Sequence, residues 1–176
     1  MIAGHSMGGY AALSFADNYA EKVKGLCLFH SHALADTDEA KHNRDRAIKL
    51  VRSDHNIFIY NFFPDLFAPG NVEKFKNEIR QMHDEAKDTS PEAIIAALDG
   101  MKQRSSRLDV LINARFPILF ILGKNDSRVP FQQTLAQAAL PAIGEALMLD
   151  NVGHMGFIEA PAITLRSLKA FAEKVF

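Results

Sequence analysis

The chain has 176 residues, 48% of them hydrophobic, with 20 Lys and Arg set against 21 Asp and Glu, one Cys and no Trp. That length suits one domain that buries a core without disulfides or a structural metal, and a single Cys excludes a disulfide framework or a multi-thiolate metal site. A formal net charge of -1 gives no basic footprint for nucleic acid or an anionic membrane, and no apolar run reaches the roughly 20 residues of a membrane-spanning helix.

In chain order, Met1-Ile2-Ala3 reads as the end of a strand rather than a charged-then-apolar leader, so a cytoplasmic protein is expected. A helix is expected over Met7–Tyr19, then a strand at Leu26-Cys27-Leu28-Phe29. Residues 35–112 read as helical throughout and carry most of the charge; Ser90-Pro91-Glu92 is a helix start, with a hydroxyl cap, Pro in the first turn and an acid at the positive end of the dipole. Ile118–Leu122 is a second continuous apolar run, a helix is expected over Phe131–Ala139, and Ala146–Leu149 is a weaker strand. Leu165, Leu168, Ala172 and Val175 give one apolar stripe to a closing helix over Ala162–Val175. Continuous apolar runs alternating with helices predict an α/β protein of about four parallel strands covered on both faces. The expected organisation is one compact domain: core at 1–34, an all-helical lid at 35–112, and core again at 113–176.

Residues 4–8 spell Gly4-His5-Ser6-Met7-Gly8. A chain of this size matches G-x-S-x-G by chance in roughly one case in twenty, so the context carries the weight. A strand end before the Ser and a helix start after it make the strand–turn–helix that a nucleophile elbow requires. Gly4 and Gly8 are expected to leave room where a Cβ would clash, and the helix start favours negative charge beside the hydroxyl. Beyond the strongest strand, Gly123-Lys124-Asn125 leads to Asp126; beyond the last strand, Asn151-Val152-Gly153 leads to His154. Both lie past the carboxyl ends of strands, where α/β sheets place their sites. In these positions Ser6 would attack a carbonyl, His154 would take its proton and Asp126 would orient the imidazole.

With these residues the chain resembles the α/β-hydrolase superfamily, particularly its bacterial, esterase-like members with a helical lid. The matching stretches are Gly4–Gly9, Ile121–Asp126 followed by Val129-Pro130, and Gly153–Pro161. The resemblance implies Ser6 as nucleophile, Asp126 as triad acid, His154 as base and the Met7 backbone N–H as an oxyanion-hole donor. It implies a small ester-like substrate and no cofactor. In that family further strands, and the loop giving the second oxyanion donor, precede the elbow, so the chain corresponds to the later half of the fold plus its lid. Its first strand is then expected at an open sheet edge that pairs with another copy, giving a homo-oligomer. The alternative is a catalytically impaired remnant that binds a ligand or a protein.

Other residues have plainer readings. His5 is expected to pack and hydrogen-bond within the elbow. His30-Ser31-His32 could offer two zinc ligands, but a catalytic zinc needs three, and the two histidines are expected at the pocket mouth instead. Cys27 reads as a small buried apolar group. Phe58, Tyr60, Phe62, Phe63 and Phe67 either line an acyl pocket or pack the lid onto the core.

Overall fold

The computed structural model describes all of Met1–Phe176. Four strands form one parallel sheet in sequential order: β1 (Ile2–His5), β2 (Leu26–Phe29), β3 (Ile118–Gly123) and β4 (Gly144–Leu149). Between β1 and β2 runs α1 (Met7–Asn18), between β3 and β4 runs α7 (Phe131–Gln137), and the chain ends in α8 (Gly156–Glu159) and α9 (Pro161–Val175). The segment joining β2 to β3 has no strand. It holds α2 (Asp38–Ser53), α3 (His55–Phe62), α4 (Lys76–Ala86), α5 (Pro91–Gln103) and α6 (Leu108–Ile112).

The sheet explains why two runs read as continuously apolar. Every residue of β2 and β3 is buried, with alternate side chains entering opposite layers. Leu26, Leu28, Ile118, Phe120 and Leu122 pack with Leu13 and Ala16 of α1 and Leu111 of α6. Cys27, Phe29, Leu119 and Ile121 pack with Phe171 of α9. Burial pushes the Cys27 thiol up to about 12, which leaves it a packing group. β4 alternates between exposed and half-buried residues because it is an edge, and that is why its run was the weakest. β1 is the other edge: it pairs with β2 alone, and Ala3 on it is exposed.

The helical segment has a small core of its own, Ile48 and Val51 of α2 against Leu98 of α5. Ser90 caps α5 by accepting from the Ala93 N–H at 3.2 Å. The two ends of the segment are tied together where it leaves the core. Asp36 pairs with both Arg44 and Arg104, Arg104 donates to the Leu34 carbonyl at 3.1 Å and lies 3.9 Å over the Tyr10 ring, and the Arg107 N–H donates to the Ala33 carbonyl at 2.7 Å.

The aromatic run is divided. Phe62, Phe63 and Phe67 pack with Leu66, Ile79 and Met155, Phe58 joins the α2–α5 core, and Tyr60 is exposed. A surface cleft of about 670 Å³ opens beside Tyr60, Arg80 and His83, and none of Ser6, Asp126 and His154 lines it.

Candidate active site

All four strands point their carboxyl ends the same way, and the chemistry-bearing side chains collect there. Ser6 directly follows β1 and has φ 51° and ψ -120°. A non-glycine residue in such a conformation carries of order 1–3 kcal/mol of strain, held by its surroundings. Here the Ser6 N–H is tied to the Phe29 carbonyl at 2.9 Å, and the Ser6 carbonyl accepts the Gly9 N–H at 2.9 Å. A Ser at a helix N-cap ordinarily uses its hydroxyl to accept an N–H of the first turn. Ser6 occupies the N-cap of α1 without that bond, so its hydroxyl is not spent on the helix. The Met7 N–H lies in the first turn, where backbone donors have no intrahelical acceptor.

The elbow needs two glycines, but not the pair expected. A Cβ on Gly4 would collide with the Gly8 carbonyl, as anticipated. Gly8, however, faces open space, and the second close approach is at Gly9, where a Cβ would strike the wholly buried Ser31 side chain. One residue along a helix is a turn of about 100°, enough to move the tight contact from Gly8 to Gly9. Gly9→Ala should therefore cost about 1–3 kcal/mol through overpacking, while Gly8→Ala should stay within about 1 kcal/mol of the parent. Chemical unfolding of both variants measures this, and equal losses would contradict the packing.

Asp126 follows β3 and is almost fully enclosed, with 2% of its side chain exposed. Oδ1 accepts the N–H groups of Arg128 and Val129 at 2.8 and 2.9 Å. Oδ2 accepts from His154 Nδ1 at 2.8 Å and from His30 Nδ1 at 3.0 Å. Burial alone would push the carboxyl up; the bonds from His154 and His30 outweigh it and hold Asp126 well below the usual carboxylate range. With the acid ionised, each Nδ1 must carry the proton, which leaves Nε2 of His154 as its basic nitrogen.

The His154 loop is held from several sides. The His154 N–H donates to the Leu66 carbonyl at 2.6 Å, and the His154 carbonyl accepts from His5 Nε2 at 2.8 Å. His5 thus has the packing and hydrogen-bonding place expected of it, its ring 5.0 Å from that of His154, and burial lowers its pKa to about 4. Because His5 directly precedes Ser6, this contact brings the elbow beside the His154 loop. Ser6 Oγ itself makes no hydrogen bond to His154.

One site residue goes unread in the sequence, and a second is placed wrongly. Glu159 of α8, 8% exposed, accepts from the N–H groups of Gly153 (2.8 Å), Met155 (3.3 Å) and Ala68 (2.9 Å) and from Asn71 Nδ2 (2.8 Å). It binds the His154 loop to the segment after α3. His30 is not at a pocket mouth; it is fully buried against Asp126. The signal available was its place at the carboxyl end of an all-apolar strand. His32 diverges from it, meeting Tyr10 Oη through Nε2 at 3.4 Å and accepting the Leu34 N–H through Nδ1 at 3.2 Å, so the two do not form a zinc pair. His30, Asp126 and His154 do bring three ligand-type atoms within 4.8 Å of one another, but at hydrogen-bond spacing, and a metal would have to displace both Nδ1 protons.

A parallel sheet with helices on both faces, a strained Ser in a strand-to-helix turn and an Asp–His pair on later strand ends together have the layout of an α/β-hydrolase fold. The alpha/beta hydrolase family model matches residues 1–166, and the chain belongs to that family. Among curated relatives it is 24% identical over 178 residues to Lipase 1 of Psychrobacter immobilis, covering 97% of this chain and 54% of that protein. It is 29% identical over 136 residues to the pimeloyl-[acyl-carrier protein] methyl ester esterase of Neisseria meningitidis serogroup B, covering 73% of this chain and 52% of that one. A thermophilic esterase from Thermogutta terrifontis, solved with malate bound, superposes with a TM-score of 0.89 at 29% identity over 98% of this chain and 64% of its own. The chain thus spans about half the length of the curated relatives it matches. No helix is long and apolar enough to cross a membrane.

Proposed function

We propose that the chain is a serine hydrolase that cleaves a small carboxylic ester or related acyl bond through Ser6, His154 and Asp126. The observation that carries this reading is the 2.8 Å bond from His154 Nδ1 to an ionised, enclosed Asp126, at the same end of the sheet as a strained Ser6 whose hydroxyl leaves its own helix uncapped. The ester class is supported by relatives named as a lipase and as esterases.

In the proposed reaction His154 Nε2 takes the Ser6 hydroxyl proton as Oγ attacks the ester carbonyl. The resulting oxyanion is met by the Met7 N–H and the positive end of α1. Collapse expels the alcohol, which leaves with the proton from His154, and an acyl-Ser6 remains. Water, deprotonated by His154, then releases the acid and restores Ser6. Asp126 stays ionised throughout, fixing the tautomer and stabilising the imidazolium. No step draws on a cofactor. We propose further that the chain works in the cytoplasm.

A fluorophosphonate probe tests this without a substrate guess. Intact mass should show one adduct on the folded protein, lost in Ser6→Ala and in His154→Ala. An adduct that survives Ser6→Ala, or none on the folded parent, overturns the reading. In the second case the chain is a binding module, and the β1 edge favours that reading, with Ala3 exposed and one side of the strand unpaired. We propose in either case that this edge takes up a strand of a second copy; light scattering that finds only monomer across a wide concentration range rejects it.

A further inference from the structure

His30 is costly as a core residue. Its backbone is pinned just past β2, with φ 47° and its N–H bonded to the Ile121 carbonyl at 2.9 Å. Its ring is wholly buried and closely walled: a Cβ on Gly123 would press on Cε1, and one on Gly156 would collide with Nε2. Nδ1 donates to Asp126 Oδ2, so the neutral ring keeps Nε2 as a bare acceptor, and that atom has no partner. An apolar side chain would fill the space without an orphaned nitrogen. What only a donor can supply is the second hydrogen bond to Oδ2, the oxygen that also accepts from His154.

We infer that His30 is a positioning residue that divides the Asp126 carboxylate between two imidazoles. It holds Oδ2 in place for His154 and draws off part of the negative charge that Asp126 lends to the His154 imidazolium. This rests on the reading of Asp126 and His154 as acid and base. The charged and titratable groups facing His154 are few. They are Asp126 from beyond β3, His5 from β1, His30 from beyond β2, and Glu159 from α8, which binds the loop's backbone. Asp65, next to Leu66, is turned outward and pairs with Arg128. Burial keeps His5 and His30 neutral, so His30 acts on His154 through the shared oxygen rather than as a second cation. Without its N–H, Oδ2 carries more charge, the imidazolium is better stabilised, and His154 holds its proton to higher pH.

Nitrogen-15 NMR of histidine-labelled full chain tests this whether or not the protein turns over esters. In the parent, His30 should be neutral at neutral pH, with its proton on Nδ1. In His30→Leu the His154 titration midpoint should rise by about half to one pH unit. In His30→Asn, whose amide donates from the same position and suits a positive φ, it should return toward the parent value. The acid limb of kcat/KM on an activated ester should follow the same order. A midpoint that stays put or falls in His30→Leu overturns the inference, as does a parent His30 protonated on Nε2, a result that stands even if His30→Leu fails to fold. A shifted midpoint in a protein with no Ser6-dependent hydrolysis supports the inference and rejects the functional reading.

Discussion

Asp126→Asn is expected to lower ester turnover by about 10⁴-fold, the scale of loss when a triad acid is made an amide, and to weaken the fold at the same time. The four bonds on its carboxylate explain why one substitution does both. Oδ1 accepts two backbone N–H groups and Oδ2 accepts two imidazole N–H groups. An amide offers one oxygen and one NH₂, so in either orientation two donors are left facing a donor. If the NH₂ meets the histidines, His154 must turn its Nδ1 lone pair toward it and place the proton on Nε2, where the attacking hydroxyl needs a base. If the NH₂ meets Arg128 and Val129, the turn that delivers residue 126 comes apart. The buried, charge-assisted bonds lost make a cost of about 3–5 kcal/mol reasonable. The pH dependence has a definite sign. The native carboxyl is held below its unfolded value near pH 4, so its stabilisation is complete above that pH and is lost as pH falls toward the native value. Acid unfolding of the parent should therefore show a low-pH decline that Asp126→Asn has largely lost. Steady-state kinetics and unfolding at neutral and acid pH check both halves, and an Asn variant with parental turnover would remove Asp126 from the mechanism.

Much of this architecture is legible in the sequence because the forces that build it act on residue type. A strand buried on both faces must be apolar at every position, and β2 and β3 advertise themselves that way. β4, an edge, needs only alternate burial and is correspondingly faint. The candidates Ser6, Asp126 and His154 stand out because each lies past the carboxyl end of an expected strand, strong for β3 and faint for β1 and β4, and parallel strands bring those ends together. The misread details depend on direction rather than type. Whether Gly8 or Gly9 meets a neighbour depends on where β2 delivers Ser31, which lies at a distance in the chain. His30 goes inward because its positive φ turns the chain sharply after β2, and no flanking residue announces that turn. The aromatic cluster packs the helical segment onto Met155, a contact that only the assembled cap and His154 loop create.

Glu159 is the clearest case of bonding geometry that leaves no pattern in the sequence. Three of its four donors are backbone N–H groups, and any sequence supplies those. Their placement matters more than their number. Gly153 and Met155 flank His154, while Ala68 and Asn71 belong to the segment after α3, so the carboxylate joins the His154 loop to the helical segment. Gly153 permits the approach, since a Cβ there would run into Leu66, Phe67 and Ala68 backbone. Glu159→Gln keeps the size but replaces one oxygen with an NH₂, which must then face two N–H groups on either orientation. The expected destabilisation is about 2–4 kcal/mol. A purely structural defect would lower the unfolding midpoint and leave the turnover of the folded fraction intact. If Glu159 instead holds His154 in register with Asp126, the folded protein should also lose turnover by about 10²-fold, the scale for a misplacement near 1 Å. It should lose, too, the low-field Nδ1 proton resonance of His154, while Ser6 keeps its place at the head of α1. Measuring kcat below the unfolding transition, with that resonance as the second readout, separates the two cases: parental kcat with an unshifted resonance would make Glu159 a clamp on the fold alone.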